Sequence, residues 1–248
     1  MSISTTQQVA LVTGASKGLG RETARRLAAA GMIVLASARD TARGQATATE
    51  LAADGADVRF LRLDVTDADS VKAAAAWITE TFGRLDVLVN NAGISVDNQQ
   101  PVTEITAGQM RQTYETNVFG AVTVTNTMLP LLRRAAGARI VNVSSMLGSL
   151  TMSADPDGPF TKWPGAFLLA YNSSKTALNA LTIMWAHALR DDGITVNSAD
   201  PGYVATDLNR HSGNTTVEQG AEIIVKLATP ATDGATGTFQ AASGPRPW

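Results

Sequence analysis

Seven short runs of apolar and β-branched residues alternate along the chain with longer stretches rich in alanine and leucine. The runs are residues 9–13, 32–37, 58–63, 85–90, 139–144, 194–199 and 237–241. Several runs are apolar nearly throughout, which is typical of strands that are covered on both faces. Strands that alternate with helices in this way indicate βαβ units. We therefore predict a single-domain α/β Rossmann fold, a doubly wound parallel sheet of about seven strands with helices on both faces.

Charge and composition exclude several classes of function. The net charge is −2 and no basic tract is present, so we expect no nucleic-acid partner. The chain has no cysteine and only two histidines, which are far apart, so we expect no disulfide, no thiolate chemistry and no metal site. The first residues are polar, and no apolar run approaches the roughly 18 residues of a membrane-spanning helix. We expect a cytoplasmic protein with no membrane partner.

A glycine-rich turn follows the first predicted strand and precedes a helix. It carries Gly14, Gly18 and Gly20, with the spacing G-x-x-x-G-x-G. Glycines at such a turn let a diphosphate approach the amides of the helix N-terminus. The spacing differs from the G-x-G-x-x-G fingerprint of dinucleotide sites, so a turn without a ligand is the alternative interpretation.

The tip of the second predicted strand bears on which nicotinamide cofactor would fit. An acid there usually binds the ribose of NAD, whereas an arginine accommodates the 2′-phosphate of NADP. The sequence places Ala38 at the expected position of the acid, followed by Arg39, and Lys17 in the glycine turn is a second cation. These cations favour NADPH/NADP+. Asp40 is the competing interpretation, because a small shift in register would bring it to the ribose and favour NAD.

Tyr171 and Lys175 are four residues apart in a stretch that is predicted to be helical, "AYNSSKTALNAL". Residues at this spacing lie on the same face of a helix. The pair is either a solvated surface contact or an acid whose proton is loosened by a neighbouring cation.

Three further segments follow strands without a clear pattern: 94–105, 150–167 and 209–216. Ligands bind at the carboxyl ends of strands in open α/β sheets, so we expect these segments to border a site.

The order of five motifs resembles that of the classical short-chain dehydrogenase/reductases. The motifs are "TGASKGLG" (13–20), "NNAG" (90–93), "VSS" (143–145), "YNSSK" (171–175) and "PGYVATD" (201–207). Within that superfamily, "ARDTARGQA" and the long segment before Tyr171 resemble the NADPH-dependent carbonyl reductases. The resemblance implies reduction of a small-molecule ketone or aldehyde by hydride transfer. The alternatives are a catalytically silent NADPH-binding regulatory protein and an NAD-dependent alcohol dehydrogenase.

The resemblance implies four catalytic residues: Asn117, Ser145, Tyr171 and Lys175. Tyr171 would be the general acid, and Lys175 together with the oxidised nicotinamide would lower its pKa. Ser145 would bind the substrate oxygen, although Ser144 could be confused with it. Asn117 would hold a helix kink and a proton-relay water, or make purely structural hydrogen bonds.

The resemblance also implies a set of cofactor-binding residues, in which Tyr171 and Lys175 recur. The set is Gly14, Ser16, Lys17, Gly18, Leu19, Gly20, Arg39, Asp64, Val65, Asn91, Ala92, Gly93, Tyr171, Lys175, Pro201, Gly202, Val204 and Thr206. Asp64 would bind the adenine amino group, or alternatively cap the following helix. We expect residues 8–145 to form the cofactor half and 146–248 the catalytic and substrate half.

The segment at 150–167 is an insertion of about a dozen residues relative to the superfamily pattern. Its rings at Phe160, Trp163 and Phe167 either line the substrate pocket or pack the loop onto its own helix. The tail that ends at Trp248 either closes over the site or covers the edge of the sheet. Carbonyl reductases with such an insertion resemble monomers, so we expect a monomer or a homodimer rather than a tetramer.

Overall fold

A computed structural model describes residues 7–53, 55–97, 100–163, 165–229 and 234–248. The strands are β1 (Val9–Val12), β2 (Ile33–Ala38), β3 (Val58–Arg62), β4 (Val87–Asn90), β5 (Arg139–Val143), β6 (Thr195–Asp200), β7 (Phe239–Ala241) and β8 (Gly244–Pro245). The α-helices are α1 (Gly18–Ala29), α2 (Thr41–Ala52), α3 (Ala68–Phe82), α4 (Ala107–Tyr114), α5 (Ala121–Leu132), α6 (Leu150–Ala154), α7 (Leu169–Ala188) and α8 (Val217–Ala228). Parts of three predictions lie outside the described residues: residues 1–6 of the polar N-terminus, residues 98–99 of the segment 94–105, and Pro164 of the segment 150–167.

The strands form one sheet in the order β3-β2-β1-β4-β5-β6-β7-β8. The pairs from β3 to β7 are parallel, and β8 is antiparallel to β7. The order reverses between β1 and β4, as it does in a doubly wound sheet. The predicted Rossmann fold is thus confirmed, and each predicted strand lies within two or three residues of an observed one. The sequence did not predict β8, because a two-residue strand carries no recognisable pattern.

The central strands are apolar throughout because helices cover both faces of the sheet. Leu11 of β1 packs in the core layer that contains α3 and α5 residues, whereas its neighbour Val12 packs in the layer that contains α1 and α8 residues. Successive strand residues point to opposite faces, so both layers draw on every central strand. Each fully buried leucine or valine side chain contributes about 1.5–3 kcal/mol relative to exposure.

The helix that follows β4 contains a wider turn in its middle. Residues Glu115–Gly120 form a π-helical turn between α4 and α5. Gly120 lies in this turn, and a Cβ there would be 2.8 Å from Val65 Cγ2, so the turn packs closely on the loop between β3 and α3. Such turns are frequent at functional sites.

The described residues of the 150–167 insertion, 150–163 and 165–167, fold onto the body of the protein. It contains α6 and a short 3₁₀ turn at Pro159–Lys162, and Phe160 packs with Leu147, Ala166 and Tyr171 in a small apolar cluster. Phe160 is 2% exposed, whereas Phe167 is 47% exposed. The packing interpretation therefore holds for Phe160, which anchors the insertion.

The tail covers the edge of the sheet rather than the site. β8 pairs with β7, and the Trp248 ring stacks on Phe239 with their centroids 5.4 Å apart. The carbonyl oxygen of Trp248 accepts a hydrogen bond from the Thr151 amide at 3.0 Å, which ties the tail to α6. None of the helices in the described ranges is both long enough and apolar enough to cross a bilayer.

Candidate active site

A cleft of about 930 Å³ lies at the carboxyl ends of strands β1 to β6. It sits where the strand order reverses, which is the usual ligand position in open α/β sheets. Every residue that the sequence predicted to contact the cofactor lines this cleft, as does Ser145. Asn117 is the exception among the predicted site residues and lies behind the wall of the cleft.

The glycine turn has the backbone shape that a diphosphate cradle requires. Gly14 and Gly18 have φ angles of +65° and +52°. Residues with a Cβ atom rarely adopt such positive φ angles, whereas glycine adopts them readily. Gly20 has an ordinary φ, but a Cβ there would be 2.6 Å from the carbonyl oxygen of Gly14 and would also collide with the Asn91 side chain. The first two glycines therefore shape the turn, and Gly20 allows α1 to approach the strands.

The N-terminus of α1 opens onto the cleft without a capping side chain from its own N-cap residue. Lys17 makes no side-chain hydrogen bond to the first turn, and no acidic residue lies in that turn. The first-turn amides of a helix carry partial positive charge and bind anions. The turn and helix together fit the diphosphate of a dinucleotide.

The "NNAG" motif braces this turn from the neighbouring strand. Thr13 Oγ1 accepts hydrogen bonds from the amides of Asn91 and Ala92 at 2.9 and 3.0 Å. Asn91 Nδ2 donates to the Thr13 carbonyl oxygen at 2.8 Å. These bonds tie β1 to the end of β4 and hold the floor of the cleft.

Two arginines border the cleft at the end of β2, and the aspartate between them has another role. Arg39 is exposed at the cleft. Asp40 caps α2: its Oδ1 accepts from the Arg43 amide at 3.0 Å, and its Oδ2 pairs with the Arg43 guanidinium at 3.3 Å. The hydrogen bond from the Arg43 backbone lowers the pKa of Asp40. Arg43 also lines the cleft, which sequence reasoning missed.

The sequence left two roles open for Asp64, binding the cofactor and capping the following helix, and the structure gives the capping role to Asp67. Asp67 caps α3, accepting from the amides of Asp69 and Ser70 at 3.0 and 3.2 Å. Asp64 Oδ1 instead accepts from Thr66, at 3.0 Å from its amide and 2.8 Å from its hydroxyl. Asp64 therefore lines the cleft without capping a helix.

Lys175 and Tyr171 both lie in the interior of the protein. Lys175 is 4% exposed, its Nζ donates to the Val143 carbonyl oxygen at 2.8 Å, and it lies 5.5 Å from the centre of the Tyr171 ring. Burial lowers the pKa of Lys175 to about 8. The surface-pair interpretation is therefore wrong, because neither side chain is solvated.

The groups of the protein that surround Tyr171 raise the pKa of its phenol. Burial is the main cause and raises the pKa well above its usual range, and the negative charges of Asp200 and Asp97 raise it further. A side-chain hydrogen bond with Ser145 acts in the opposite direction. The groups of the chain itself thus favour the neutral phenol, whereas the expected lowering was assigned to Lys175 and an oxidised nicotinamide.

The two serines after β5 have different surroundings. Ser145 bonds the Tyr171 side chain, and its Oγ accepts from the Leu147 amide at 3.2 Å. Ser144 is 2% exposed, and its Oγ lies 3.5 Å from the Lys175 carbonyl oxygen. The structure therefore brings Ser145, rather than Ser144, to the phenol.

Asn117 lies in the π-helical turn and links three segments. Its Oδ1 accepts from the Ile94 amide at 2.8 Å, and its Nδ2 donates to the Ile94 carbonyl oxygen at 2.9 Å and to Ser174 Oγ at 3.0 Å. A Cβ added to Gly93 would lie 3.5 Å from both Asn117 Oδ1 and Lys175 Nζ. Asn117 is therefore structural in its direct contacts, and its amide oxygen and the Lys175 ammonium face the same glycine.

The segment after β6 reaches across to the glycine turn. Asp207 forms an ion pair with Lys17, and its Oδ1 lies within hydrogen-bond distance of His211 Nε2, at 2.8 Å. Gly202 has a φ of +81°. Pro201, Gly202, Val204 and Thr206 all line the cleft on this side, as predicted.

Aromatic rings from two segments form one end of the cleft. Trp163 of the insertion contacts Tyr203 edge-to-face, with the ring centroids 4.9 Å apart. Both rings line the cleft together with Leu168 and Met146. Of the three rings expected to form a substrate wall, only Trp163 lines the cleft. Tyr203 was missed because its position within "PGYVATD" gives no sign of which way the ring faces.

Two buried carboxylates near Tyr171 were also missed. Asp200, at the end of β6, accepts hydrogen bonds from Arg246 Nε at 2.8 Å and from the Gly202 amide at 3.1 Å. Asp97 accepts from the Ala170 amide at 2.6 Å. Both are no more than 1% exposed. Within the described ranges no group of three or more histidine, cysteine or acidic side chains could hold a metal ion.

Comparison with known proteins gives a consistent result. A family model described as short chain dehydrogenase matches residues 8–216. A short-chain dehydrogenase of Penicillium roqueforti is 36% identical, over 90% of this chain and 89% of that protein. Carbonyl reductase (NADPH) 3 of Mus musculus is 35% identical, over 91% of this chain and 92% of that protein. The crystal structure of NADPH-bound carbonyl reductase from chicken fatty liver superposes with a TM-score of 0.86 at 30% identity, covering 98% of this chain and 99% of that one.

Proposed function

The chain belongs to the short-chain dehydrogenase family, and from that membership we propose that it is an NADPH-dependent reductase that converts a ketone or an aldehyde into an alcohol. The observation that carries the proposal is the grouping of Ser145, Tyr171 and Lys175 in the same cleft as the glycine turn. In this proposal residues 8–145 chiefly hold the cofactor, and residues 146–248 chiefly bind and convert the substrate.

The side chains divide the reaction between them. Ser145 and Tyr171 bind the carbonyl oxygen, where negative charge develops as the carbon is reduced. Tyr171 then gives its proton to that oxygen. Its raised pKa keeps the phenol protonated at neutral pH, so a proton is available for transfer. Bound NADPH would supply the hydride that the carbonyl carbon accepts.

Lys175 balances the charge that this proton transfer leaves behind. Once the proton has gone, a phenolate remains in a buried site, where it is costly without a nearby cation. Lys175 Nζ lies on the face of the Tyr171 ring, and a pKa of about 8 keeps most of it charged at neutral pH. The cation stabilises the phenolate until a proton returns from solvent.

The cations at the far end of the cleft support the choice of NADPH. Arg39 and Arg43 border it after β2, where the adenosine ribose would lie, and Lys17 lines the same cleft but is paired with Asp207. The competing residue Asp40 is engaged with α2 and Arg43, which weakens it as a ribose acceptor. A 2′-phosphate would meet positive charge here, and charge-assisted hydrogen bonds of this kind are about twice as strong as neutral ones.

The lining near Tyr171 supports a hydrophobic carbonyl substrate. Trp163, Tyr203, Leu168 and Met146 offer rings and apolar surface, and Ser145 and Tyr171 supply the polar anchor. An apolar pocket with a few convergent polar groups binds a small organic ligand in one orientation.

The test is NADPH consumption by the purified chain over a panel of aldehydes, ketones and quinones, with NADH run in parallel. We expect turnover with NADPH to exceed turnover with NADH, and bulky apolar carbonyls to be the better substrates. A preference for NADH would overturn the assignment of Arg39. Tight NADPH binding without turnover on any carbonyl would favour the regulatory alternative.

A further inference from the structure

The helix that carries Tyr171 is capped by a residue from elsewhere in the chain. α7 begins at Leu169, and the residue before it, Leu168, has no side-chain group that could cap it. Asp97 supplies the acceptor: its Oδ2 lies 2.6 Å from the Ala170 amide and 3.3 Å from the Tyr171 amide. Its other oxygen, Oδ1, accepts from Ser95 Oγ at 3.2 Å.

This arrangement differs from that of several other described helices. Helices α2, α3, α4 and α8 are capped by the residue that immediately precedes each of them, namely Asp40, Asp67, Thr106 and Thr216. A local cap fixes a helix relative to its own connecting loop. The cap of α7 comes from 73 residues away. It therefore fixes the helix relative to the segment after β4, which carries the "NNAG" motif and one wall of the cleft.

We propose that Asp97 is a positioning residue for Tyr171, holding the first turn of α7 so that the phenol meets Ser145 and the substrate oxygen. This inference rests on the proposed function. The bond to the Tyr171 amide acts on the backbone of the acid itself, and the bond to Ala170 acts one residue earlier. Asp97 has no exposed surface, so water cannot replace it as the acceptor without rearrangement.

The negative charge of Asp97 also affects the pKa of Tyr171, which provides a second way to detect the positioning role. The groups that face Tyr171 are Ser145, Lys175 on the same helix, Asp200 with its partner Arg246, and Asp97. The negative charge of Asp97 disfavours the phenolate and raises the pKa of Tyr171, by less than burial or Asp200 does. Removal of this charge lowers the pKa.

Three variants separate positioning from a general loss of stability. Asp97→Ala removes the cap, and Asp97→Asn keeps an acceptor oxygen but removes the charge. Asp67→Ala removes the matched cap of α3, a helix that does not line the cleft. For Asp97→Ala we expect kcat to fall roughly ten- to a hundredfold, with KM for NADPH little changed, because a small displacement of a reacting group has effects of this size. Asp67→Ala is expected to keep the wild-type kcat and pH profile.

Asp97→Asn is expected to recover most of kcat, with a changed pH dependence. Carbonyl reduction needs the protonated phenol, so its rate falls as pH rises through the pKa of Tyr171. A lower pKa moves that fall to lower pH. Amide hydrogen exchange provides a readout besides activity: Ala170 and Tyr171 should exchange faster in Asp97→Ala than in wild type, and close to wild-type rates in Asp97→Asn.

The outcomes distinguish this inference from the proposed function. If a folded Asp97→Ala chain reduces carbonyls as fast as wild type, the positioning role of Asp97 is overturned and the proposed function stands. If Asp97→Ala does not fold, an Asp97→Asn chain whose kcat stays far below wild type while its Ala170 and Tyr171 amides exchange at wild-type rates would overturn the positioning role. A wild-type chain that reduces no carbonyl would overturn the proposed function and this inference together.

Discussion

Arg246 donates a hydrogen bond from Nε to Asp200 Oδ2 at 2.8 Å, so the tail of the chain neutralises a buried carboxylate whose charge acts on Tyr171. Asp200 is 1% exposed, whereas a quarter of the Arg246 side chain reaches solvent. A buried carboxylate without a partner is costly, and an arginine beside it removes most of that cost. The tail is thus coupled electrostatically to the proposed acid.

Replacing Arg246 should therefore affect both stability and pH dependence. We expect Arg246→Met to lower the free energy of unfolding by about 3 kcal/mol, because Asp200 is left buried and unpaired. The same uncompensated charge raises the pKa of Tyr171 further and moves the alkaline fall of the reduction rate to higher pH. Urea denaturation and pH–rate profiles measure the two effects. Arg134→Met, which removes a surface arginine, serves as the control, and an unchanged profile in Arg246→Met would contradict the coupling.

Tyr171→Phe tests the acid directly. The substitution keeps the ring but removes the proton, so kcat for carbonyl reduction should fall by about a hundredfold to ten-thousandfold. The NADPH dissociation constant, measured by fluorescence titration, should change little, because the phenol is not the main contact for the diphosphate or adenosine. A variant that keeps most of its turnover would show that another group delivers the proton.

Arg39→Ala tests the choice of cofactor. Loss of a charged hydrogen bond to the 2′-phosphate should raise KM for NADPH roughly tenfold or more, while KM for NADH stays near its wild-type value. Lys72→Ala removes a cation of similar exposure from a surface ion pair on α3 and should change neither constant. Equal effects of Arg39→Ala on both cofactors would mean that Arg39 does not meet the phosphate.

A methyl group at Gly20 should disrupt the join between α1 and the strands. The added carbon would overlap the Gly14 carbonyl and the Asn91 side chain, so we expect Gly20→Ala to lower the unfolding free energy by about 1–3 kcal/mol and to weaken NADPH binding. Gly108 is the matched control: it is helical, and the nearest atom to an added Cβ is 3.6 Å away. Gly108→Ala should raise stability by about 0.5–1 kcal/mol. Denaturation midpoints and cofactor titrations of the two variants give the comparison.

Lys175 should make the stability of the protein depend on pH in the alkaline range. Its pKa is about 8 in the folded chain, against an ordinary value of 10.5, so between these values the unfolded chain binds more protons at this group. The free energy of unfolding therefore rises with pH over that window, by about 3 kcal/mol from this group, and below pH 8 the full penalty of burying the charge applies. Lys175→Met lacks this dependence. Denaturation from pH 7 to 11 measures the free energy of unfolding of both chains. The wild-type value minus the Lys175→Met value should increase with pH, and a constant difference would contradict the lowered pKa.

The fold and most of the cleft could be predicted because their signals are local. The alternation of strands and helices predicts the sheet. Gly14, Asn91, Ser145 and Pro201 each lie within two residues of the end of a strand, so the topology brings them to one edge. Asp97 could not be assigned its role, because its partners lie 73 and 74 residues away and no short pattern marks such a contact. The raised pKa of the Tyr171 phenol could not be predicted for a related reason. It depends on burial and on carboxylates from separate segments of the chain, which no local pattern marks.

The stretch that identifies the family ends at residue 216, and Arg246 lies beyond it. Arg246, the partner of Asp200, therefore lies outside the residues that match the family model. Evolution can then alter the working pH of the enzyme by exchanging one residue of the tail, with its cofactor, fold and reacting groups left intact. Two homologues with the same motifs need not share the same pH optimum, and the residue opposite Asp200 is where their divergence should first be sought.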